Sequence, residues 1–123
     1  MGIRYAFGVR LRPETPPEIS LEPPTIERRC LLSAPEPGSE GWLEFRELVW
    51  RGEVSDREHV RRLLAEKIGI EVESVDFRAL EADPDSFERF KEAVADDLEA
   101  FNAENVSEVL TKYFGSSLEI REP

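Results

Sequence analysis

A chain of 123 residues with 27 acidic and 16 basic side chains carries a formal net charge of −11, and only Lys67, Lys91 and Lys112 among its basic residues are lysine. The length suits one domain and is too short for two cores, the lone Cys30 excludes an intramolecular disulfide or a cysteine-pair zinc site, and no apolar run approaches the roughly eighteen residues of a membrane helix. Strong acidity with little lysine points to a surface that holds water and cations in a salty cytoplasm. Charged and glycine positions in residues 1–11 argue against a signal peptide, and Ala6 stands where myristoylation requires serine or threonine.

Ile3, Tyr5, Phe7, Val9 and Leu11 alternate with Arg4, Ala6, Gly8, Arg10 and Arg12. This period of two predicts a strand with one apolar and one wet face. Pro13, Pro16, Pro17, Pro23 and Pro24 make residues 13–24 a Pro-rich extended connection, with Ile19 and Leu21 placed to form a short edge. A second strand is expected over residues 25–33, followed by a turn-rich loop over 34–41. Between Gly41 and Gly52 stand Trp42, Leu43, Phe45, Leu48, Val49 and Trp50, a density of large apolar groups that must be buried or bind something. The leucine, glutamate and arginine content of residues 42–51 favours a short helix, and a strand followed by a turn fits the same residues.

Ser55 and Glu58 have capping-box spacing, Val60, Leu63, Leu64 and Ile68 follow at helical intervals, and Gly69 stands where a left-handed cap ends a helix. Val72, Val75 and Phe77 predict a strand. Asp83 with Pro84 opens a long amphipathic helix whose core stripe is Phe87, Phe90, Val94, Leu98 and Phe101. Asn105 and Glu108 repeat the capping spacing before a last helix carrying Val106, Val109, Leu110 and Tyr113 and stopped by Gly115. Leu118 and Ile120 close the chain as a strand. One-sided strands mixed with helices, without regular alternation, give an α+β fold: a mostly antiparallel sheet with helices packed on one face, in a single domain over residues 1–123.

The runs Gly41-Trp42-Leu43 with Phe45-Arg46, Trp50-Arg51-Gly52-Glu53-Val54, Val72-Glu73-Ser74-Val75, Phe101-Asn102-Ala103 and Val109-Leu110-Thr111-Lys112-Tyr113-Phe114-Gly115-Ser116-Ser117 resemble the haloarchaeal LWR-salt family over nearly the whole chain. That family is named for a leucine-tryptophan-arginine motif. The motif falls on Val49, Trp50 and Arg51, with valine in the leucine position and Leu48 just before it. The resemblance implies a salt-loving archaeal setting, in line with the composition, and implies no activity, ligand or cofactor.

Tryptophan offers a broad apolar face, and arginine offers a planar fork for carboxylate or phosphate that also stacks on rings. Trp50 and Arg51, with Trp42 and Arg46 as lesser candidates, are therefore the expected contact residues of a non-catalytic interaction or regulatory module whose partner is a protein. The competing reading of the pair is a core tryptophan beside a surface ion pair. Arg4, Arg10 and Arg12 leave the wet face of the first strand, and Arg28 and Arg29 approach them if the first two strands pair. Such a stripe suits anion or nucleic-acid binding or, equally, cross-strand ion pairs. Tyr5 and Phe7 on the opposite face deny RNA a stacking platform, and phosphate binding weakens as salt rises.

A small enzyme of unassigned chemistry is the remaining alternative. His59, the only histidine, falls on a helix flank, and Cys30 reads as a small core residue within a strand. The pairs Asp83 with Asp85 and Asp96 with Asp97 are of a kind that arises readily among so many carboxylates. The chain has no phosphate loop, dinucleotide glycine pattern, metal-ligand spacing or nucleophile elbow, so no catalytic residue, metal or cofactor is expected.

Overall fold

The alternating first segment becomes strand β1 (Ile3–Arg12), and it occupies the middle of the sheet. The computed structural model describes residues 2–122. Strand β1 pairs antiparallel with β2 (Ile26–Ser33) on one side and with β5 (Glu71–Ala82) on the other, while β6 (Leu118–Ile120) runs parallel to the end of β5. The strand order is β2-β1-β5-β6. Ile3, Tyr5, Phe7 and Val9 are buried on the helix side, as the period of two requires. The connection over residues 13–25 forms no strand, and Ile19 and Leu21 are exposed rather than tacked down as an edge. Prolines deny that segment the donors a ladder needs.

Strand β5 runs further than Val72, Val75 and Phe77 foretold. Val9 lies opposite Val75 and Leu11 opposite Val72, so Glu73 is inserted between them; Ala6 opposite Ala79 and Phe7 opposite Phe77 make Arg78 a second insertion. Two bulges turn the buried series into Val72, Val75, Phe77, Leu80 and Ala82, which no longer alternates in the sequence.

Both readings of residues 42–51 are realised in succession. A 3₁₀ turn (Trp42–Glu44) leads into α1 (Phe45–Leu48), and β3 (Val49–Trp50) then pairs with β4 (Glu53–Val54) as a hairpin. Helix α2 (Arg57–Ile68) is capped by Asp56, whose carboxylate accepts the His59 backbone N–H at 3.1 Å, rather than by Ser55. The Ser55 hydroxyl donates instead to the Glu47 carbonyl at 2.7 Å, fastening the hairpin to α1. Gly69 ends α2 in the left-handed conformation, as expected.

The long helix expected from Asp83 onward is shorter. Helix α3 (Pro84–Ala95) stops at Asp96 and Asp97, where the Asp97 N–H turns back to Val94 O, and Leu98 and Phe101 reach the core from a separate 3₁₀ segment (Leu98–Phe101). Aspartate competes for nearby backbone groups and is a poor helix interior residue. Helix α4 (Val106–Phe114) starts on Asn105 and buries Val109, Tyr113 and Phe114. No helix among the described residues is long and apolar enough to cross a membrane.

Asp83 joins the start of α3 to the start of the chain. Its carboxylate accepts the Ser86 N–H and hydroxyl, each at 2.8 Å, and the Gly2 N–H at 2.7 Å. The bonds from Ser86 first, then that from Gly2, hold the carboxyl down at about 2. An unfolded aspartate titrates near about 3.9, so the stability linked to this proton is complete above that value and is lost as the pH falls toward about 2. Urea melts at pH 4 and pH 2.5 are expected to show a smaller loss of stability in Asp83→Asn than in the parent, because asparagine keeps the cap without the proton.

Candidate interaction site

The turn between β3 and β4 consists of Arg51 and Gly52, with φ of 54° and 79°. Two left-handed residues are what a two-residue hairpin needs to match strand twist. Glycine takes that conformation freely, whereas for arginine it is strained. The turn lies against the end of α4, where Arg51 N–H donates to Lys112 O at 2.8 Å and Gly52 N–H to Tyr113 O at 2.9 Å. Two carbonyls that a helix end leaves without intrahelical partners are thereby satisfied. A Cβ on Gly52 would stand 3.1 Å from Phe114 O, and one on Gly115 would stand 3.6 Å from the Gly52 Cα. The hairpin turn and the helix end are thus in backbone contact.

Trp50 leaves this turn 41% exposed. Its indole meets the Tyr113 ring edge-on at 5.4 Å between centroids, and the Arg51 guanidinium lies over it at 5.6 Å. Trp42 is partly buried against Phe45, Phe90 and Phe101. Arg46 sits 5.9 Å above the Phe101 ring, and the Lys112 ammonium donates to the Phe101 carbonyl at 2.9 Å. Phe101 in turn touches Tyr113 edge-on at 6.0 Å. Arg46, Phe101, Tyr113, Trp50 and Arg51 therefore form one continuous series of ring and cation contacts. A shallow groove of about 710 Å³ runs beside it along α4, lined by Trp50, Arg51, Asn105, Glu108, Thr111 and Lys112 among others.

The segments that meet at this turn are residues 50–54 and 109–117, two of the runs in which the chain resembles a known family. The LWR-salt protein family matches over residues 1–123, the whole chain. The chain belongs to that family. No curated protein and no solved structure matches it. The run Val49-Trp50-Arg51 consists of the last residues of a strand and the first of a turn. Val49 is fully buried in the core, Trp50 is half out, and Arg51 is exposed. Lys112, which sequence reasoning missed, joins the site only because the end of α4 packs under the hairpin.

The LWR-salt sheet presents its arginines on the opposite face, and they meet carboxylates there. Glu81, only 1% exposed, accepts from Arg4 at 3.1 Å and from Arg29 at 2.7 Å, with Arg121 at 3.9 Å. Arg29 and Arg121 also reach Glu119, at 3.0 and 2.9 Å. Burial alone would raise the Glu81 carboxyl, but the Arg29 hydrogen bond and the charges of Arg121, Arg29 and Arg4 hold it below the usual carboxylate range. Arg10 pairs with Glu27 at 2.7 Å, and Arg12 pairs with Glu73 and with Glu71. Arg28, opposite Val9 in the ladder, faces away from Arg29 and donates to the Glu27 carbonyl at 2.8 Å.

At Gly8 the missing side chain makes room for another pair. An added Cβ would fall 2.5 Å from Arg78 Nε and 2.7 Å from Asp76 Oδ1, and these two side chains, two residues apart on β5, bond to each other at 2.6 Å. The resulting cavity of about 290 Å³ is of mixed charge, with Arg10, Arg29 and Arg78 facing Glu27 and Asp76.

The residues weighed for catalysis lie apart from the groove. His59 is exposed on α2, Asp83 is occupied as the cap of α3, and Asp96 and Asp97 form its end. Cys30 is partly buried against the core, and that burial pushes its thiol up, away from the nucleophilic thiolate. No group of three His, Cys, Asp or Glu among the described residues is placed to hold a metal ion.

Proposed function

We propose that this protein is a non-catalytic interaction or regulatory module of a salt-adapted cytoplasm, and that it contacts a partner protein through the Trp50–Arg51 face. The observation that carries the reading is the indole of Trp50, left 41% exposed on a turn that Tyr113 and the end of α4 hold in place. A large ring presented on a fixed support loses little conformational freedom when a partner covers it, and tryptophan and arginine are the residues that most often carry binding energy at such contacts. The alternative, anion or nucleic-acid binding by sheet-face arginines, has less support, because Arg4, Arg10, Arg12 and Arg29 are engaged by carboxylates.

The test is capture of the tagged chain's partners from a haloarchaeal lysate in molar potassium chloride, beside a Trp50→Ala control of unchanged circular dichroism. A protein partner lost in the control is the expected result; an identical set of partners with both baits overturns the reading. Salt adaptation has its own test. Molar salt shortens the Debye length from about 10 Å to about 3 Å, which relieves repulsion within a chain of net charge −11. The melting temperature is expected to rise by several degrees between 0.1 and 3 M potassium chloride, and equal melting in both would remove the argument.

A further inference from the structure

We propose that the groove between the Arg51-Gly52 turn and α4 binds a carboxylate-bearing segment of a partner protein, with an acidic side chain on Arg51 and Lys112 and an apolar neighbour on the open face of Trp50. The inference rests on the interaction reading above and gives the partner its chemistry. Charge is the first ground. On the sheet Arg4, Arg10, Arg12 and Arg29 pair with Glu81, Glu27 and Glu73, and on α2 Arg61 and Arg62 pair with Glu58. In a chain with 27 acidic residues, no ion pair among the described residues reaches Arg46, Arg51 or Lys112, and these three stand together. Arg46 lies over the Phe101 ring, Lys112 binds the Phe101 carbonyl, and Arg51 N–H binds the carbonyl of Lys112. Among the described residues Arg28, Arg57 and Lys67 also lack a carboxylate, but Arg28 lies on β2, where it donates to the Glu27 carbonyl, and Arg57 and Lys67 lie at opposite ends of α2.

Conformation is the second ground. The turn puts Arg51 at φ 54°, where asparagine or glycine would be relaxed. The residue present is therefore the one that places a guanidinium over Trp50, not the one the turn favours. A guanidinium stacked on a ring keeps its donors in its own plane, where a carboxylate is received by two parallel hydrogen bonds. Asn105, Ser107 and Thr111 give the groove a neutral polar wall. Glu108 is its one acid; its carboxylate accepts the Glu104 N–H at 3.0 Å, and its charge disfavours a densely anionic ligand. A nucleic-acid backbone fits poorly for that reason, and because its affinity depends on neutralising many phosphates and falls steeply with salt.

The probe is a blocked peptide with two glutamates flanking leucine, titrated against the full chain in molar potassium chloride and followed by tryptophan emission. Its glutamine counterpart and octathymidylate are run alongside. The expected result is saturable binding of the glutamate peptide, at least about fivefold tighter than the glutamine peptide, and weakened at least about fivefold by Arg51→Asn. Asparagine suits the turn, so this variant melts no lower than the parent, which separates loss of binding from loss of fold. Arg51→Lys is expected to fall between the two, because it keeps the charge without the fork. Equal binding of the two peptides, an Arg51→Asn variant that binds like the parent, or tighter binding of octathymidylate overturns the proposal. So does a dimer abolished by Arg51→Asn in a chain that ignores the peptide, which would make a second copy the occupant. In the capture experiment, a partner lost with Trp50→Ala and retained with Arg51→Asn sinks the acidic segment while leaving the interaction reading in place.

Discussion

Phe45→Ala is expected to lower stability by about 4 kcal/mol, a large share of the roughly 5 to 15 kcal/mol that holds a domain of this size folded. The ring is fully buried and lies 5.2 to 6.2 Å, centroid to centroid, from Trp42, Phe90, Phe101, Tyr113 and Phe114. These neighbours come from the 3₁₀ turn, from α3, from the 3₁₀ segment after it and from α4, so no single element can shift to close the cavity. Phe45→Leu keeps most of the volume and is expected to cost about 1 kcal/mol. Urea denaturation followed by far-ultraviolet circular dichroism measures both. A Phe45→Ala loss below about 1 kcal/mol would mean that the aromatic cluster relaxes far more than buried cores usually do.

Glu81→Ala is the second large effect, at about 2 to 3 kcal/mol. Removing one partner of a buried ion pair leaves the other charges uncompensated and costs roughly 3 to 5 kcal/mol. Here the arginine side chains are 32% and 41% exposed, so water offsets part of that cost. The change leaves Arg29 and Arg121 with Glu119 and leaves Arg4 with no carboxylate partner among the described residues. Because the folded carboxyl lies below the usual range, its contribution is present above the unfolded value of about 4.3 and is lost as the pH falls through the folded one. Glu81→Gln is therefore expected to be less stable than the parent at pH 7 and to approach it in acid. A constant gap between the two from pH 7 to pH 3 would count against the network.

Much of this architecture could be read from local pattern, and its failures have physical causes. Strand β1 was legible because both of its neighbours pair with it over nearly its full length. The second half of β5 was not, because the insertions at Glu73 and Arg78 break the alternation on which strand reading depends. Ser55 and Asp56 are both good cap residues, and only the hydroxyl's bond to the Glu47 carbonyl decides between them. Trp42, Arg46, Trp50 and Arg51 stood out by composition within one short segment. Their association with Lys112 and Tyr113 depends on tertiary packing, which no spacing encodes. Glu81 was invisible for the opposite reason: in a sequence crowded with acids, nothing local marks the one that is buried.

The central position of β1 also sets the order in which the chain can assemble. Tyr5 lies opposite Leu32 on one side and Leu80 on the other, so β1 waits for the much later β5 to complete its ladder. During synthesis β1 and β2 can pair early, across the proline-rich connection. Their apolar side, with Tyr5 and Phe7, stays open until later segments arrive: Phe77 of β5 meets the Phe7 ring edge-on, and Phe114 of α4 in turn meets Phe77. Contacts this distant in sequence carry the loop-closure cost that slows folding. The nascent chain must therefore pass through a stage in which an apolar sheet face is already made and not yet covered, and the negative charge that holds neighbouring chains apart arrives late, because 15 of the 27 acidic residues but only 5 of the 16 basic ones lie after residue 70.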